Sequence, residues 1–181
     1  MRALGPGSVS SLLKVGLDLV YVVLWIGLFG AVFILLGSLV IVPLIPVSEL
    51  NININGENDP ETVRRFIRGP ALPLLFGSGA LYIGGLVIIV GRLRQVFETL
   101  TRGDPFQPLN VSRLRVVGLA LAGLEIWNFV VPPIIRSLVP GEGGDGGRTS
   151  FTGWFAVLVV FVLAEVFREG ARLRREAELT I

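Results

Sequence analysis

Neither cysteine nor histidine occurs among the 181 residues, and Lys14 is the only lysine. Without cysteine there is no disulfide and no thiol nucleophile. Without histidine there is no imidazole ligand for a metal or haem, and no imidazole general base. A lysine Schiff base would have to use Lys14, which stands beside the first apolar run. Charge is scarce as well: Asp, Glu, Lys and Arg make up 17% of the chain, against about 25% in soluble domains. What the chain has instead is apolar mass, 52% of its residues. That mass is gathered into four blocks, which excludes a soluble globular enzyme.

A helix rising 1.5 Å per residue needs roughly 20 mostly apolar residues to cross the hydrocarbon of a bilayer. The blocks run from Val15 to Val42, Ala71 to Val90, Val116 to Ile135 and Phe151 to Phe167. Pro43 and Pro46 close the first, and Arg92 and Arg94 stop the second. Arg115 and Arg136 bracket the third, whose last turn carries Pro132 and Pro133; Arg148 and Arg168 bracket the fourth. The first block is about twice as long as a signal-peptide core, and no Ala-x-Ala site follows it, so a retained helix is expected. The pattern predicts an all-α, four-helix transmembrane bundle, up-down-up-down, forming one domain over 1–181. Its helices are expected over about 15–42, 71–91, 112–135 and 151–168, with a tail over 169–181.

Arginine placement predicts the orientation. The amino terminus, the second loop and the carboxyl tail hold 11 of the 16 basic residues. The other five, Arg64, Arg65, Arg68, Arg136 and Arg148, fall in the first and third loops. The positive-inside rule then places both termini and the second loop in the cytoplasm.

The loops carry local signals. Leu50 to Asn55 alternates apolar and polar residues, which predicts a short strand, and Arg148 to Thr152 is the nearest candidate to pair with it. Asn58-Asp59-Pro60-Glu61 reads as a helix start. Gly141 to Gly147 superficially resembles a phosphate cradle. Its two charges are acidic and no Lys-Ser/Thr follows, so a flexible linker is expected. Asn110-Val111-Ser112 has the spelling of a glycosylation site but lies on the cytoplasmic side. Asn110 or Ser112 is expected to cap the helix that follows.

Two stretches carry a family resemblance. One is Thr101-Arg102-Gly103-Asp104-Pro105-Phe106, followed by Asn110 and by Arg113-Leu114-Arg115-Val116-Val117-Gly118. The other is Ala164-Glu165-Val166-Phe167-Arg168-Glu169-Gly170, running through Leu173 to Glu178-Leu179-Thr180-Ile181. Together with four apolar helices, they resemble the bacterial membrane proteins known as the domain of unknown function 2975 family. The resemblance implies a multi-pass protein of the bacterial inner membrane. It brings no established activity, and implies a small cytoplasmic helix-turn-helix regulator as partner.

Glu125 is the most informative single residue. It lies about midway between Arg115 and Arg136, where an ionisable group is costly and therefore a functional candidate. Gly118, Ala122, Glu125 and Phe129 share one helical face, so the acid points where small residues admit a neighbouring helix. Tyr82 and Asn128 are its expected hydrogen-bonding partners. The residue either fixes packing through such a bond or serves a proton-, ion- or ligand-linked role. Glu165 is expected to pair with Arg168 one turn on, or to reach Arg113 or Arg115. Asp18 is expected to pair in the same way with Lys14. Gly103, Pro105, Phe106, Asn110, Arg113, Arg115, Glu165 and Arg168 thus form a candidate docking or structural motif on the cytoplasmic side.

Gly77, Gly84 and Gly91 recur every seven residues, a stripe that suits close helix packing or self-association into a homo-oligomer. The tail repeats Leu173, Ala177 and Ile181 at helical spacing, which predicts a short amphipathic extension facing lipid headgroups or a partner. The expected function is non-enzymatic: a regulatory or binding protein of the bilayer. The alternative is a small oligomeric transporter or channel component centred on Glu125. No nucleophile–base pair, metal set or cofactor motif is legible. The arginines lie at the membrane faces, so no direct nucleic-acid contact is expected.

Overall fold

The computed structural model describes residues 9–41, 44, 67–102, 106–138 and 150–179. Its principal elements are four α-helices: α1 (Val9–Ile41), α2 (Ala71–Thr101), α3 (Pro108–Leu138) and α4 (Phe151–Glu178). No strand occurs among the described residues. The expected strand at 50–55, the helix start at 58–61 and the glycine run at 141–147 lie outside them.

The helices are long because their apolar runs continue into good helix formers. Beyond Val90, α2 proceeds through Arg92, Leu93, Arg94, Gln95 and Glu98 to Thr101. Past Arg168, α4 continues through Glu169, Arg172 and Arg175. These straight-chain residues lose little rotamer freedom in a helix, so the ends of the apolar blocks are not the ends of the helices. The tail is accordingly one piece with α4 as far as Glu178.

The fourth helix starts at Phe151 as expected, and two local readings beside helix starts change. Ser150 to Thr152 is not a strand. Ser150 is extended and caps α4, its hydroxyl accepting from the Gly153 amide at 3.2 Å, which satisfies one of the donors a helix start leaves open. In α3 the helix begins at Pro108, whose fixed φ and missing N–H suit a first turn. Asn110 and Ser112 therefore lie inside the helix and do not cap it. The Ser112 hydroxyl donates back to the Leu109 carbonyl at 2.8 Å.

All four helices are long and apolar enough to cross a bilayer. Their outward surfaces agree: Phe33 is 78% exposed, and Leu19, Ile26, Phe29 and Phe155 are comparably bare. So much uncovered apolar surface is unsustainable in water and natural in hydrocarbon. The chain is a multi-pass membrane protein.

The helices divide between two compact units. The first takes in Met1–Trp25, Gly85–Glu125 and Ser150–Ile181; the second takes in Ile26–Gly84 and Ile126–Thr149. In the first, Val96, Leu114 and Ala164 form a buried core, with Leu100 and Phe167 packed on it. Glycines set its close approaches. A Cβ on Gly85 would come within 2.7 Å of Leu124, and one on Gly118 within 3.1 Å of Phe161. In the second unit Ala71 and Ala80 are buried, and Leu35 stands 4.0 Å from where a Cβ of Gly77 would be. The seven-residue glycine stripe does not act as one surface. Gly91 packs under Tyr21, Gly77 has ordinary contact, and Gly84 has nothing within 4 Å.

Candidate functional site

The residues of the two motifs meet in the first unit. Asn110 is fully buried, and each end of its side chain is used. Its amide nitrogen donates to the Thr99 hydroxyl at 2.6 Å, and its amide oxygen accepts from Arg113 at 2.9 Å. The Thr99 hydroxyl in turn donates to the Val96 carbonyl at 2.7 Å. The Arg113 guanidinium also donates to the Gln95 carbonyl at 3.1 Å. Six residues separate α2 from α3, so the last turn of one must face the first turn of the other. Burial leaves these polar groups dependent on one another.

The second motif closes the same junction with apolar contacts. Phe106 packs on Phe167, ring centroids 5.7 Å apart, and lies against Gly170. A Cβ there would stand 2.6 Å from two carbons of the Phe106 ring. Leu114 and Ala164 are buried beside them. Gly103 and Pro105 lie outside the described residues. Arg115 is exposed, and Glu165 pairs with Arg168, one turn away on α4, as its spacing predicts. Phe106, Asn110 and Arg113 are thus brought together, while Arg115, Glu165 and Arg168 face outward.

Glu125 sits near the middle of α3, with its carboxylate against the backbone of Gly153, where a Cβ would overlap it. On the expected small-residue face, Gly118 meets Phe161 and Glu125 meets Gly153, both on α4, while Phe129 is exposed. Gly153 belongs to the first turn of α4, where unpaired N–H groups give the helix its positive end. The acid, midway along its own helix, is level with the start of another. Tyr82 and Asn128 belong to the second unit. There they line a shared groove of about 490 Å³ with Ser78, Trp127, Pro132 and Arg136. Pro132, inside α3, has no N–H to offer the Asn128 carbonyl one turn back.

Asp18 does not pair with Lys14. Its carboxylate accepts from Arg94 Nε at 2.5 Å, and the same guanidinium stacks 4.5 Å over the Tyr21 ring. Spacing along one helix favoured Lys14, but Gly91 lets Tyr21 and Asp18 approach α2 closely enough for Arg94 to reach both. The sequence reading missed Gln95, Thr99 and Gly153. Thr99 had a usable signal, because it and Asn110 stand equally far from the turn that joins their helices.

No curated protein and no solved structure matches the chain. A family model described as "Protein of unknown function (DUF2975)" matches residues 17–181. That span takes in nearly all of the four helices and both motifs that meet around Asn110 and Phe106. The chain therefore belongs to the DUF2975 family.

Proposed function

We propose that this protein is a non-enzymatic, regulatory membrane protein of the bacterial inner membrane, with both termini in the cytoplasm, and that it holds a small cytoplasmic helix-turn-helix regulator. The observation that carries this reading is the far end of α4. Residues 172–177 are exposed at every position, Leu173 stands out among them, and Leu179 beyond them is barer still. A helix with apolar residues uncovered beside Arg172 and Glu176 suits docking into a partner's groove. The junction below it, fixed by Asn110 and Phe106, would hold that helix in a set direction. The buried motif residues then act as the mount, and the exposed extension is the part that binds.

Co-expression of the intact protein with the helix-turn-helix regulator encoded beside it, followed by purification in mild detergent, tests this. The two should co-purify, and deleting residues 172–181 should release the regulator while leaving the protein in the membrane. Absence of the regulator from the intact protein's preparation would overturn the proposal.

The alternative, a small oligomeric transporter centred on Glu125, has less support. Tyr82 and Asn128 share a groove, but Glu125 is not among the residues that line it.

A further inference from the structure

A second cavity, of about 200 Å³, lies in the first unit. Lys14, Asp18 and Tyr21 of α1 line it together with Arg94, Gln95 and Glu98 of α2. It is smaller than the roughly 300–1,000 Å³ of sites that hold a drug-sized molecule. Its wall carries two cations and two carboxylates, so its charges balance.

Its depth is set by the two helices. On α1 the run that follows, 19–41, contains no charged residue, and on α2 neither does the run that precedes, 71–91. The cavity therefore stands where the apolar length of each helix gives way to its charged end, the level at which lipid headgroups meet hydrocarbon.

The charged groups are held ready. Arg94 is fixed by its bond to Asp18 Oδ1 at 2.5 Å and by stacking on Tyr21. Gly91 makes that stack fit, since a Cβ there would come within 3.2 Å of the ring. Little side-chain freedom remains to be lost when a ligand meets the guanidinium. Gln95 uses its amide oxygen to accept from Arg92 at 3.3 Å, which keeps its NH₂ available as a donor. Glu98 meets Arg102 through Oε1 at 2.6 Å. Each carboxylate thus has a second oxygen for another donor.

We propose that this cavity binds the phosphoethanolamine headgroup of a zwitterionic phospholipid. Lys14, Arg94 and the Gln95 amide receive the phosphate, and Asp18 and Glu98 receive the primary ammonium. An anionic headgroup without an amine would leave the second oxygen of each carboxylate without a donor. A choline headgroup has no N–H to donate to them. Selectivity for the amine follows from those two missing interactions.

The test uses the intact protein in nanodiscs of phosphatidylcholine, doped with phosphatidylethanolamine or phosphatidylglycerol, with retained lipid counted by native mass spectrometry. Phosphatidylethanolamine should be retained about tenfold over either competitor, the factor that one charge-assisted hydrogen bond supplies. Glu98→Gln should bring that preference close to parity, Lys14→Gln should lower retention of all three lipids, whose phosphate they share, and Ser112→Ala should leave both readings as they are. Equal retention of the choline or glycerol lipid by the unaltered protein would overturn the proposal. So would a preference unchanged in Glu98→Gln, or retention of all three lipids unchanged in Lys14→Gln. Soluble glycerophosphoethanolamine should not compete; displacement of the lipid by it at matched concentration would overturn the assignment to a membrane lipid.

Discussion

At the scale of single residues, Asn110 shows why a motif position is demanding. It must donate to Thr99 and accept from Arg113 at the same time, inside a space that excludes water. An amide does both from two separate atoms, whereas a carboxylate has no donor, a lysine has no acceptor, and a hydroxyl has one atom for both partners. Asn110→Ala removes two hydrogen bonds, one of them to a guanidinium. It should cost about 1–3 kcal/mol, read as a lowered thermal midpoint in mild detergent. Thr99 keeps its bond to Val96 and Arg113 keeps its bond to Gln95, so the loss should stay within that range. An unchanged midpoint would remove Asn110 from the junction's stability. The sequence marks Asn110 through the resemblance, but its burial was not legible, because the residues that cover it come from elsewhere in the chain.

At the scale of elements, α4 is shaped by two glycines placed under large groups of its neighbours. Gly170 lies beneath the Phe106 ring, and Gly153 beneath the Glu125 carboxylate. Gly170→Ala would drive a methyl group into the ring at 2.6 Å. Such overpacking costs about 1–3 kcal/mol, despite alanine's better helix propensity. Adding Phe106→Leu should recover a good part of that loss, because the shorter side chain can swing aside. Thermal unfolding of the two single variants and the double variant measures the coupling, and strict additivity would show that the contact carries no strain. The length of α4 was half legible. Its apolar stretch was plain, and the spacing of Leu173 and Ala177 predicted a helical extension. That the extension and the membrane segment form one unbroken helix depends on Gly170 being tolerated at a point where Phe106 packs on it.

At the scale of the whole molecule, the arginine bias predicts sidedness, and the lack of native cysteine makes this easy to measure. Single variants Arg102→Cys, Leu138→Cys and Leu179→Cys place one thiol at the end of α2, of α3 and of α4. In intact spheroplasts a membrane-impermeant maleimide should label Leu138→Cys alone. The other two should react only after the membrane is opened. Labelling of Arg102→Cys or Leu179→Cys from outside would reverse the orientation drawn from the 11-to-5 distribution of basic residues.

The sequence by itself determined the environment, the number of apolar helices and their approximate places. These follow from composition and run length, which act locally: twenty apolar residues in a row have few other options. It also marked the motif residues. Only the tertiary structure decided what those residues touch. Asp18 chose Arg94 over the nearer Lys14, Asn110 turned inward to Thr99, and Glu125 came to rest on the first turn of α4. The reason is the same in each case. A polar side chain at a helix surface takes the partner that neighbouring helices bring within reach. That reach is set by where glycines such as Gly91, Gly153 and Gly170 let backbones close in, a property of pairs of helices that no single run of sequence contains.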